Sequence, residues 1–136
     1  MDIQLITLYR GSVKRVVALV IDGRNPVSEF YGQHESSHEK QLDQLRARVE
    51  MVANTHNYRN TEAFRPLGDG LFEFRTRQGL RLDAFQDEGH LIIATNGGGK
   101  KKQSSDISTA RQLKNDYYNA KKQSQRNPNI NIRIVP

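Results

Sequence analysis

The sequence predicts an α+β fold, on three observations. Two β-branched apolar runs lie near the start, a long amphipathic helical stretch follows, and three short alternating segments precede a last helix. The expected order is an N-terminal strand or hairpin, two helices, an antiparallel β-meander and a C-terminal helix. At 136 residues the chain reads as a single domain, with residues 125–136 as a short C-terminal tail.

Residues 3–9 (IQLITLY) and 14–22 (KRVVALVID) are separated by Arg10-Gly11-Ser12, which suits a hairpin or one long interrupted strand. Asn25-Pro26 supplies a cap residue followed by proline at the first helical position, so a helix should open there. Helical signal runs to about Thr55, with Gly32 as the candidate break. Leu42, Leu45, Val49 and Val52 recur at spacings of three and four, a core-facing stripe that projects back through His38 and His34. Residues 56–68 read as a connection.

Residues 71–77 (LFEFRTR) alternate, with Glu73, Arg75 and Arg77 on one face and Phe72 and Phe74 on the other. Gln78-Gly79 turns into residues 80–85, and Asp87-Glu88-Gly89 turns into residues 90–95. Such short connections imply antiparallel neighbours. One sheet face should be apolar and the other should gather Arg75, Arg77 and Arg81. Ser105 is the expected cap of the last helix, with Ile107, Ala110, Leu113 and Tyr117 as its buried stripe. In the tail, Ile130, Ile132 and Ile134 alternate like an edge strand that Pro136 stops.

Hydrophobic residues make up 35% of the chain, so the core should be small. No apolar run approaches the ~20 residues of a membrane span. MDIQLITLYR lacks a basic region before an apolar stretch and does not read as a signal peptide. A cytoplasmic protein without membrane partners is the expectation. The chain has no cysteine, which excludes disulfides, thiolate zinc sites and cysteine nucleophiles. The formal charge is +6, and residues 98–126 alone carry that excess, with eight lysines and arginines against Asp106 and Asp116. A basic cluster on a nearly neutral remainder suits a phosphate-backbone binder, or a solvated basic helix that aids solubility.

Three groups of residues could carry chemistry. His34-Glu35-Ser36-Ser37-His38 fits the H-E-x-x-H pattern of zinc peptidases, which needs both histidines one turn apart on a helix and a third ligand. Its neighbours are polar, and only His56, Glu50 or Glu62 could complete it, so the expectation is no metal and a half-exposed helix face that packs, caps or meets a partner. Residues 96–105 (NGGGKKKQSS) fail the P-loop pattern, because Ala94 stands where its first glycine belongs and Lys101 where Ser or Thr must be. What remains is a flexible loop of three ammonium groups, suited to a polyphosphate backbone or acting as a solvated hinge. Arg75, Arg77 and Arg81 would repel one another unless Glu73 and Asp83 neutralise them or a phosphate does.

The order of these elements resembles toxins of the RelE/ParE superfamily, in the phage-derived HigB-like branch of type II toxin–antitoxin systems. Asn25-Pro26-Val27 with Phe30 resembles the family's N-P-V-x-x-F helix opening. Residues 67–75 (LGDGLFEFR) resemble its L-x-x-G-L-W-E-L-R entry into the sheet, and Leu80-Arg81-Leu82 sits where the family has Y-R-x-x-Y. Lys100-Lys101, Gln103 and Asp106-Ile107 resemble the approach to its last helix. The resemblance covers residues 25–122.

It implies a RelE-like fold and a metal-independent, cofactor-free mRNA interferase, an endoribonuclease that inhibits translation on the ribosome. A cognate antitoxin, of helix-turn-helix type, would hold it in check. The RNA's 2′-OH attacks the adjacent phosphate while the protein orients it, stabilises charge and assists proton transfer. By position, Arg75 and Arg81 would contact the scissile phosphate, and Lys100 and Lys101 would stabilise charge or hold substrate. Arg77, Lys102, Arg111 and Lys114 would add RNA contacts, and Tyr117 and Tyr118 a stacking surface or a proton donor. Where the family has His and Phe before the lysine pair, this chain has Asn96-Gly97-Gly98-Gly99. That difference favours the alternative expectation, a catalytically weak or inactive RNA- or partner-binding module on the same fold.

Overall fold

A computed structural model describes residues 1–88 and 90–136. Strands β1 (Asp2–Arg10) and β2 (Arg15–Ile21) form the N-terminal hairpin, and helices α1 (Pro26–His34) and α2 (Glu39–Ala53) follow. Strands β3 (Phe64–Gly68), β4 (Leu71–Arg75), β5 (Arg81–Asp87) and β6 (Leu91–Gly98) come next. A 3₁₀ turn at Lys100–Lys102 runs into α3 (Gln103–Ser124), and β7 (Asn131–Val135) ends the chain. The turn expected at Asp87-Glu88-Gly89 reaches outside the described residues at Gly89.

All the strands belong to one sheet, in the order β3-β4-β5-β6-β2-β1-β7. β3 to β6 are antiparallel neighbours, but β2 pairs with β6 in parallel, and so does β7 with β1. The α+β class is as expected, while the sheet is mixed. Parallel pairing of β2 and β6 needs a long crossover, and residues 22–90 supply it. A central strand covered on both sides reads as a continuous apolar run, which is what RVVALVI in β2 is.

Both sheet faces are therefore covered, each by its own core. Val27 and Phe30 of α1 and Leu42, Leu45, Val49 and Val52 of α2 pack on Val16, Phe74, Leu82 and Ile92. On the other face Ala110, Tyr117 and Ala120 of α3 meet Leu5, Leu19, Phe85 and Ile93. The alternation of β6, with Ile92 in one core and Ile93 in the other, is the period-two signature of a strand between two layers. The sequence had suggested one apolar and one arginine-rich face; α3 closes the second face instead.

Local chemistry explains the element boundaries. Asn25 accepts the Ser28 amide at 3.0 Å and Pro26 opens α1, as expected. The helical break lies at residues 35–38 rather than at Gly32, so the HESSH segment is the corner between α1 and α2. α2 continues the apolar stripe, but His38 at its N-cap is exposed and His34 half-buried, so the stripe stops short of both. β3, inside the expected connection, is an edge strand, which tolerates Pro66. α3 begins at Gln103, and Ser105 is not its cap: the Ser105 hydroxyl donates back to the Lys102 carbonyl at 3.1 Å. β7 is the edge strand expected of the tail.

One irregularity shapes the site. Between β5 and β6 the register runs from Asp83↔Asn96 to Ala84↔Ala94, so Thr95 is an extra residue, a β-bulge. The bulge re-aims the end of β6: Asn96 reaches Asp106 of α3, and Gly97 faces Phe30 of α1. A Cβ on Gly97 would lie 2.7 Å from Phe30 Cγ and 2.7 Å from the Arg81 carbonyl oxygen. The aromatic ring over this strand end thus comes from α1, and the glycine makes room for it. Gly97→Ala is expected to lower stability by ~1–3 kcal/mol through overpacking. Gly99→Ala, with open space around the missing Cβ, should be near neutral, and urea denaturation midpoints would compare the two.

Candidate functional site

At the end of β6 the chain leaves the sheet through Gly97-Gly98-Gly99 and coils into the lysine turn. Opposite stands the α1–α2 corner, and between them lies an open groove of about 470 Å³. His34, His38 and Gln41 line one wall, Lys100, Lys101 and Lys102 the other, and Gln78-Gly79 of the β4–β5 turn closes an end. The turn is held by α2, since the Thr76 hydroxyl donates to Gln41 Oε1 at 2.8 Å. Gly79, at φ +101°, takes the left-handed conformation that favours glycine, and its missing side chain leaves room for the stem of Lys100. All three lysines are exposed. Asp106 is the acid among the described residues of the lining, and it is already engaged.

Its partner is Arg81, which explains how the lysine turn is fixed. Arg81 is only 2% exposed. Its guanidinium donates to the Gly99 carbonyl and, at 3.1 Å, to Asp106 Oδ2, and it lies 3.7 Å from Glu73 Oε2. Gln103 donates to Glu73 Oε2 at 3.1 Å, and Asn96 donates to the Asp106 carbonyl at 3.1 Å. A buried guanidinium needs such neutralisation, because an unpaired buried charge costs several kcal/mol. Asp83 completes the cluster, fully buried opposite both Glu73 and Asn96, its two carboxylate oxygens without a hydrogen-bond partner among the described residues. Gly98 lets Asp106 approach, since a Cβ there would collide with its carboxylate.

The expected site residues therefore separate. Lys100, Lys101 and Lys102 share the groove. Arg81 is beneath it, committed to the fold. Arg75 sits directly across from Arg81 in the strand register but is half-buried, with Nε 3.5 Å from Glu73. Arg75 and Arg77 line a second depression of about 440 Å³ with Arg48 and Glu62, on the other side of the β4–β5 turn. The three arginines thus do not present one exposed face. Arg111 pairs with Asp69 at 3.2 Å and Lys114 donates to the Asp69 carbonyl, so both clasp the β3–β4 turn to α3.

Tyr117 is 2% exposed and donates to Asp87 at 2.6 Å, and Lys121 meets the same carboxylate at 2.8 Å. Burial, reinforced by the bond to Asp87, pushes the Tyr117 hydroxyl above the usual phenol range, and at 2% exposure its ring belongs to the core rather than to an open surface. Tyr118 is at the surface, donating to the Gln86 carbonyl at 3.0 Å and packed edge-on against Tyr117.

The histidine pair was legible as a motif, but its setting was not. His34 and His38 meet edge to face, with ring centres 5.2 Å from each other and planes at 63°. His34 Nδ1 bonds the Phe30 carbonyl at 2.9 Å and His38 Nδ1 bonds the Ser37 hydroxyl at 2.7 Å. Among the described residues, no group of three His, Asp or Glu side chains gathers where a metal ion could be held. Among the described residues no helix is long and apolar enough to cross a membrane. No family model matches this chain, and no curated protein or solved structure is significantly similar to it.

The buried cluster makes stability depend on pH. Burial lifts the Asp83 carboxyl to about 7, with Glu73 and Asp106 adding to the rise and Arg81 opposing it. Folding therefore favours the protonated acid. That contribution is full below about pH 4, where the unfolded chain is protonated too, and is lost as pH rises through about 7. Asp83→Asn should flatten this loss, gaining on the order of 2–4 kcal/mol over the parent chain between pH 5 and pH 8. Denaturation curves of both proteins across that range test it, and parallel profiles would refute the assignment.

Proposed function

We propose that this chain is a RelE/HigB-like toxin of a type II toxin–antitoxin system, an endoribonuclease that cleaves ribosome-bound mRNA in the cytoplasm. The observation that carries this reading is the groove that sets three exposed lysines against two histidines at the end of the sheet. Ammonium groups attract an RNA backbone, and the uncharged Gln41 and Gln78 beside them can hydrogen-bond to sugar or base. The depression holding Arg48, Arg75 and Arg77 flanks the same β4–β5 turn, so a single strand crossing that turn would meet cations on both sides. The α+β class is compatible with this reading, while the sheet is mixed rather than a purely antiparallel meander. A helix-turn-helix antitoxin would then silence the toxin.

A second reading, a module that binds RNA or a partner without cutting, is favoured by one specific observation. Arg81, which the resemblance would place on the scissile phosphate, is buried and neutralised. Primer extension on translated message separates the two, since a binder leaves no new 5′ ends.

Induced expression in bacteria should arrest growth, and co-expression of the adjacent antitoxin gene should relieve it; unimpaired growth would overturn the toxin reading. Replacing Lys100, Lys101 and Lys102 by alanine should weaken RNA binding and lower the slope of log affinity against log salt by about 2. Fluorescence anisotropy with a labelled single-stranded RNA, measured at several salt concentrations, reads both. Arg111→Ala, which frees only a turn clasp, should leave that slope unchanged.

A further inference from the structure

The geometry points to His34 and His38 as the general base and general acid of RNA cleavage in this groove, with Lys100 and Lys101 stabilising the phosphorane. This inference rests on the RNA-cleavage reading and supplies the proton transfer that reading lacks. Cleavage by the internal 2′-OH needs one group to take a proton from O2′ and another to give one to O5′. Imidazole is the side chain that does either near neutral pH, and two line this groove.

Hydrogen bonding divides the roles. A carbonyl oxygen only accepts, so His34 Nδ1 carries the proton in its bond to Phe30, and in the neutral ring the lone pair is then on Nε2. That is the tautomer of a base. His38 Nδ1 faces the Ser37 hydroxyl, which accepts as well as donates, so His38 can hold both protons as an imidazolium and give one from Nε2. Neither Nε2 has a hydrogen-bond partner among the described residues. The other charged groups facing the pair are the three lysines and Asp106, and Asp106 is engaged by Arg81.

The step balances without a co-reactant. His34 Nε2 removes the 2′-OH proton, O2′ forms a bond to phosphorus, and one extra negative charge builds on the non-bridging oxygens beside the lysines, giving a dianionic phosphorane. The P–O5′ bond breaks, and His38 delivers its proton to the departing O5′. The products are a 2′,3′-cyclic phosphate and a 5′-hydroxyl, and the two histidines exchange protonation states through water. The same H-E-x-x-H spacing that suggests a zinc site would here hold an acid–base pair.

The test uses the full chain, a single-stranded RNA oligonucleotide and ribosome-bound message. His34→Gln and His38→Gln should each slow cleavage by roughly 10²–10⁴-fold with unchanged RNA affinity and unchanged thermal midpoint. The bell-shaped pH–rate profile of the parent should lose its acidic limb in His34→Gln and its alkaline limb in His38→Gln. An RNA with a 5′-bridging sulfur, whose thiolate leaves without a proton, should restore cleavage to His38→Gln alone. Parent-like cleavage by both variants overturns the pair while leaving the nuclease reading intact, and so does a loss that merely tracks affinity. A parent chain that leaves no cut ends on either RNA overturns both.

Discussion

A single buried guanidinium organises this molecule. Arg81 begins a central strand, and its charge would be intolerable at 2% exposure without the acids around it. Those acids come from different elements, Glu73 from β4 and Asp106 from α3, and the same guanidinium also holds the Gly99 carbonyl. Three chain segments thus converge on one group. The start of α3 is fixed against the sheet, and the lysine turn hangs from that anchor. Removing either acid would leave a buried charge unbalanced, which is why the site's geometry and the fold's stability are not separable here.

Much of the fold was legible because its signals are local. The hairpin, the Asn25-Pro26 helix start, the α2 stripe and the isoleucine edge strand each follow from residue spacing or turn chemistry. The parallel pairing of β2 with β6 was not, since it depends on which strands meet across residues 22–90. Its one trace was the unbroken apolar run of β2, a strand buried on both faces. The start of α3 was misplaced for a related reason. Ser105 has the right type for a cap, but Arg81, Asn96 and Gln103 already hold that end through side chains distant in sequence.

The site was half legible. The lysines were visible as charge, and they are exposed as charge runs tend to be. The arginines were visible as alternation, and alternation alone does not tell a solvated face from one covered by a helix. Glu73 and Asp83 in neighbouring strands were the available signal, because carboxylates interleaved with arginines can neutralise them internally; Glu73 does so for Arg81, and the second acid is Asp106 of α3 rather than Asp83. HESSH does not lie within one helix: α1 stops at His34 and α2 resumes at Glu39. The corner keeps the backbone turn between the histidines, with the His38 amide bonded to the His34 carbonyl at 2.8 Å, and so keeps the rings together.

Pairing inside the fold also sharpens what the net charge means. Of the cations between residues 98 and 126, Arg111, Lys114 and Lys121 are engaged by Asp69 or Asp87, and their charges are partly spent on holding α3 to its neighbours. Ion pairs at such half-exposed positions contribute little energy, but each lowers the field its cation projects into solvent. The lysine turn makes no such pair among the described residues, so the field is strongest there, beside the histidines. An overall charge of +6 alone would suit any polyanion. Three of these cations share one turn at the mouth of a groove beside two imidazoles, and the proposed cutting site rests on that coincidence more than on the charge itself.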